Sequence, residues 1–142
     1  MVIIGFAARK KTFQKLTGII AAHDYIKLTG GDELVPHNQI LIELSKADFC
    51  LLPYKENKST AGRIPTKLYE CLVMEKPLII TSNPAWDALI KKNNAGIIHD
   101  FQSIPDSLIL KLNKKYYGNN LSDCYAWENS ESTLLSLIQG AL

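Results

Sequence analysis

The residues best suited to chemistry lie in one stretch, 62–80. Gly62, Arg63, Ile64, Pro65, Thr66, Lys67 and Glu70 bring together a glycine, two cations, a proline and a carboxylate. Gly62 lets the backbone turn freely and come close to a ligand. From Thr66 the pattern is helical. Ile64, Leu68 and Leu72 share one face with Cys71 beside them, while Lys67, Glu70 and Met74 share another, because residues three and four apart are neighbours on a helix. Pro65 fits the first helical turn, where its missing N–H costs nothing. A helix start of this kind offers backbone N–H groups and the positive end of a dipole, which suits a phosphate. Lys67 or Arg63 can add counter-charge, and the carboxylate of Glu70 can accept from hydroxyl groups. Pro77 is expected to end the helix, and 78–81 reads as an apolar, β-branched strand.

Other reactive residue types carry less. His23, His37 and His99 have no ligand-spaced partners, so no zinc site is expected. Cys50, Cys71 and Cys124 have no metal-like spacing and are read as reduced thiols, two of them in apolar surroundings. No Walker or G-x-G-x-x-G pattern occurs, and no Ser or Cys sits in a nucleophile motif. Tyr54 follows Pro53 at the end of an apolar run and could lie over a base or a sugar, with edge packing as the plainer reading. His37 opens a helix beside a rim loop, where contact with a nucleotide competes with a surface or capping role. Arg9 and Lys11 lie in a basic turn and are weaker phosphate candidates.

The elements that must position these residues follow from periodicity. Strands are expected near 2–5, 25–29, 49–52, 78–81 and 97–99, and helices near 12–22, from 36 to 47, from 66 to Pro77, from 83 or 84 to 90, at 107–115 and at 128–142. Phe13, Leu16, Ile19 and Ile20 form the apolar stripe of the first helix, and Gly18 weakens it by about 1 kcal/mol relative to alanine. Leu108, Ile109 and Leu112 are expected to face inward in the fifth. The polar segment 55–61 reads as a loop running into the glycine stretch. Apolar strands alternating with amphipathic helices predict an α/β fold, a Rossmann-like parallel sheet with helices on both sides. Ligands of such sheets bind at the carboxyl ends of the strands, so the loops after Leu28, Leu52, Ile80 and Ile98 should line one rim.

The central stretch also carries a resemblance. Pro65-Thr66-Lys67-Leu68-Tyr69-Glu70, followed by Lys76-Pro77-Leu78-Ile79, resembles the donor-binding signature of GT-B glycosyltransferases, in particular the retaining, family-four-like group. Ala47-Asp48-Phe49-Cys50-Leu51-Leu52-Pro53-Tyr54 resembles the strand that precedes it, and the resemblance extends more loosely over most of the chain. It implies that 1–142 is a single nucleotide-sugar-binding domain, the GT-B C-terminal half. The first strand, its helix and the N-terminal acceptor domain would be missing. It further implies a nucleoside-diphosphate sugar as donor, with Glu70 on the ribose diol and Lys67, Gly62, Arg63, Ile64, Pro65 and Thr66 around the diphosphate. Sugar transfer to a glycan, lipid or other acceptor would require an acceptor domain or partner chain, as in cell-envelope polysaccharide synthesis. No metal or other cofactor is required, because helix dipole and cations can supply the charge. One departure stands out. The family commonly has a second glutamate before this one in the pattern, and here that position is Gly62. The family's glycine turn is replaced by Met74-Glu75-Lys76.

Composition limits the alternatives. The 142 residues are 46% hydrophobic and 21% charged, ordinary for a globular protein with a sizeable core. A net charge of +2 gives no argument for nucleic acid or a membrane surface. No apolar run approaches the roughly 20 residues of a membrane span, and no signal peptide is expected at Met1. The expected location is cytoplasmic, peripheral to the inner membrane face only through a partner. The second hypothesis is a binding or interaction module of the same fold without transfer. A receiver-type domain is discounted, because no acidic pair ends the first strand.

Overall fold

The computed structural model describes residues 1–54 and 62–118, together with 131, 135 and 136. The expected loop at 55–61, Cys124 and most of the expected last helix lie outside the described residues. The chain divides into two compact units, Met1–Lys46 and Ala47–Leu142.

The first unit contains strand β1 (Val2–Phe6), helix α1 (Lys10–Ala21), strand β2 (Lys27–Gly31) and helix α2 (His37–Lys46). Its two strands pair in parallel, with Val2 opposite Lys27 and Phe6 opposite Gly31. The expected strand at 25–29 begins two residues later. A turn closed by the Ile26 N–H on the His23 carbonyl (3.1 Å) occupies that segment, and Tyr25 stands 63% exposed with its ring 5.3 Å from that of His23. Of the expected stripe on α1, Phe13, Leu16 and Ile20 are half-buried and Ile19 is exposed.

The second unit contains strand β3 (Cys50–Leu52), helix α3 (Thr66–Val73), strand β4 (Leu78–Ile80), helix α4 (Pro84–Asn93), strand β5 (Gly96–Ile98) and helix α5 (Asp106–Leu112). The strands form a parallel sheet in the order β3-β4-β5. Among the described residues the hydrogen-bonded strands form a two-stranded sheet in the first unit and a three-stranded sheet in the second, where one sheet of five was expected. The fold class is nevertheless the expected one: α/β, parallel, flanked by helices and Rossmann-like in general.

The central strand of this sheet is covered on both faces. Leu78, Ile79 and Ile80 are all buried, so neither side of β4 meets water. Right-handed crossovers place α3 and α4 on one face, because the sheet advances in one direction from β3 to β5. The other face carries Ile79 and Ile97, which cluster with Leu108 of α5, Phe49 and Tyr116. In α5 only Leu108 is buried. Ile109 is 51% exposed and Leu112 is exposed as well, contrary to expectation, because a seven-residue helix presents one narrow stripe to the sheet. Gly96 opens β5 at φ +153°, where an added Cβ would lie 2.0 Å from the Leu78 carbonyl oxygen. The close approach of β4 and β5 at this point therefore requires glycine.

The end of α3 departs from expectation. Pro77 does not terminate it. The helix stops at Val73, and Glu75 takes the left-handed conformation at φ 50°. The Glu75 N–H then bonds the Leu72 carbonyl (3.1 Å) and the Lys76 N–H bonds the Cys71 carbonyl (2.8 Å). This is a Schellman closure with a glutamate where glycine is usual.

Candidate functional site

At the start of α3, Pro65 is the N-cap, at φ −65° and ψ 139°, rather than a residue of the first helical turn. Its carbonyl accepts the Leu68 N–H (2.9 Å), and Pro65 has no side-chain group to cap this end. The consequence is chemical. Having no N–H of its own, Pro65 leaves Thr66 and Lys67 as the first helical amides. Gly62 is exposed with φ 70°, Arg63 and Thr66 are exposed, and Ile64 is half-buried. Leu68, Cys71 and Leu72 are buried, so the apolar back of α3 is turned inward as expected. Lys67 is then exposed and Glu70 half-buried.

The end of β3 meets this helix electrostatically. Tyr54 has its hydroxyl pKa raised, first by burial and then by the neighbouring Cys50 thiol and Glu70 carboxylate. Glu70 therefore lies within electrostatic reach of Tyr54. Cys50, at the start of β3, is held below the usual thiol range by a hydrogen bond with Cys71; burial opposes this and the Lys67 ammonium assists it. The Cys71 thiol is pushed strongly upward by the same hydrogen bond and by its burial. The two cysteines are free thiols in contact with each other. The structure thus brings Tyr54, Lys67 and Glu70 into one neighbourhood, with the thiol pair among them.

A set of contacts not foreseen from the sequence fixes the loop before α3. Trp86, in the first turn of α4, is 2% exposed, and its indole Nε1–H donates to the Arg63 carbonyl at 2.6 Å. The Tyr54 ring packs edge-on against Trp86, with centroids 5.6 Å apart. The Thr81 hydroxyl donates to the Tyr54 carbonyl, tying the end of β4 to the end of β3. The start of α4 is itself braced. Asn83 accepts from the Ala85 N–H (3.1 Å), while Asp87 accepts from the Ser82 hydroxyl (2.8 Å) and the Asn83 N–H (3.0 Å). The capping pattern Asn83-Pro84 with Asp87 was a legible signal for this brace; the indole bond had none.

The loops after β4 and β5 also meet. They line an open cavity of about 510 Å³ with Thr81, Ser82, Ile98, His99, Asp100 and Ser103. His99 Nε2 lies 2.7 Å from the Ser103 carbonyl oxygen, and Nδ1 lies 3.9 Å from Asp100. Part of the expected rim is therefore assembled within the second unit.

The remaining candidates belong to the first unit. Arg9 is the N-cap of α1 and Lys11 lies in its first turn, both exposed; His37 is the exposed first residue of α2. Among the described residues, no group of three or more His, Cys, Asp or Glu could hold a metal ion, and no helix is long and apolar enough to cross a membrane. Comparison of the chain with protein-family models, with curated proteins and with solved structures finds no match.

Proposed function

We propose that the second unit binds the diphosphate and ribose of a nucleoside-diphosphate sugar, as the donor half of a GT-B, family-four-like glycosyltransferase. The observation that carries this reading is the start of α3. Its N-cap, Pro65, makes no side-chain capping bond, and Lys67 and Glu70 stand on its first two turns, Glu70 within electrostatic reach of Tyr54. The N–H groups of Thr66 and Lys67 and the Lys67 ammonium would hold the diphosphate. Glu70 would accept hydrogen bonds from both ribose hydroxyls. Stabilising the departing diphosphate is the catalytic task open to such a half, and transfer would need an acceptor domain or partner chain carrying the glycan or lipid. The reading carries with it a cytoplasmic location.

A second reading, a binding module without transfer, is favoured by Gly62. That position is exposed and supplies no carboxylate for the sugar.

The test is calorimetric or NMR titration with UDP, GDP, ADP, TDP and CMP, repeated with Glu70→Ala. One nucleotide should bind, and the substitution should weaken it by about 1–3 kcal/mol, the worth of hydrogen bonds to a charged group. Absence of binding by all five would overturn the reading. Binding without sugar transfer, once an acceptor domain is supplied, would favour the module.

A further inference from the structure

We infer that Trp86 is the positioning residue of the diphosphate site, holding the 62–65 loop in its binding shape through the Arg63 carbonyl. This rests on the donor reading of α3 and adds to it a residue remote in sequence. Three observations carry it. The indole N–H makes a short bond, 2.6 Å, to a backbone carbonyl 23 residues away, within the segment that leads into α3. The donor is 2% exposed, so water cannot readily replace that bond. The indole is itself held, by the Tyr54 ring on one side and by the start of α4, which Asn83 and Asp87 brace.

The bond fixes one peptide plane, the one joining Arg63 to Ile64. Its carbonyl is turned toward the indole, which sets the course of the backbone through Ile64 to Pro65 and hence the approach to the first amides of α3. A ligand meeting a preset loop loses less conformational freedom than one that must order it. Trp86 does not touch the ligand in this scheme. It lowers the cost of the diphosphate contacts and leaves ribose and base recognition alone.

The test compares three probes of increasing phosphate content: nucleoside, nucleoside monophosphate and nucleoside diphosphate, with the base chosen by the titration above. The wild-type chain should gain affinity at the diphosphate step. Trp86→Phe keeps an aromatic ring against Tyr54 and removes the N–H. It should lose about tenfold of that gain, a factor in line with one hydrogen bond, while nucleoside affinity stays unchanged. Ile90→Val, in the same helix and equally buried, is the stability control and should leave all three affinities as they were. A diphosphate gain undiminished in Trp86→Phe overturns the positioning role and spares the donor reading. No diphosphate gain in the wild type removes both. Should Trp86→Phe fail to fold, the wild-type chain gives the answer directly. The assigned Trp86 indole N–H resonance should shift with nucleoside diphosphate and with inorganic pyrophosphate but not with nucleoside. A resonance indifferent to pyrophosphate in a chain that binds it overturns the proposal.

Discussion

The two units use the same strand–helix–strand unit with opposite results. The first has the longer strands, five residues each, and no buried hydrophobic residue. The second has strands of three residues and contains the whole hydrophobic core, from Leu52 to Tyr117 among the described residues. Strand length therefore does not make a core. Burial needs cover on both faces, and within the second unit the central strand β4 has a strand on each side, with the α5 residue Leu108 packed against its Ile79. The second unit also closes its ends. The Tyr117 hydroxyl donates to the Lys76 carbonyl (2.9 Å) and its N–H to the Asn94 carbonyl (3.0 Å), so one residue fastens the ends of both α3 and α4.

Substitutions can break this contrast or sharpen it. The largest effect is expected from Gly96→Ala. The added methyl meets the Leu78 backbone and the φ is one that alanine resists, so a loss of about 4 kcal/mol is expected in urea denaturation. A mild effect would mean that β4 and β5 are less tightly joined than they stand here.

Next comes a matched pair. Leu72→Ala, at a fully buried position in α3, should cost about 3 kcal/mol, whereas Leu16→Ala, half-buried in α1, should cost about 1 kcal/mol. Equal costs would erase the distinction between the units. Native-state hydrogen exchange addresses the same point without mutation. The amides of β1 and β2 should open at free energies about 2 kcal/mol below those of β4, since regions with few buried apolar contacts open first. Simultaneous exchange of both sets would show one cooperative unit instead of two.

The smallest expected change is a gain. Glu75→Gly removes the left-handed strain at the end of α3 and should stabilise the chain by up to about 1 kcal/mol, read as a rise in urea midpoint at constant slope. A loss on substitution would show that the glutamate side chain contributes more than its backbone costs.

Much of this was legible in the chain itself. Alternation of apolar strands with amphipathic helices gave the parallel α/β class, and spacing alone put Leu68, Cys71 and Leu72 on the buried side of α3 with Lys67 on the open one. These are local properties, set by helical and strand periods within a few residues. Other features could not be read in this way. That Glu75 rather than Pro77 ends α3 depends on a carbonyl–amide closure that a non-glycine residue must strain to make. That Ile109 lies open to solvent while Leu108 does not depends on which faces find cover. The Trp86 bond to Arg63 joins residues 23 apart, and no period in the sequence specifies it. Sequence by itself, through helical spacing and a resemblance, singled out the candidates for meeting a phosphate and a diol. Only the tertiary structure decided what holds them, because a hydrogen bond between distant segments exists only once the packing has brought its donor and acceptor within about 3 Å.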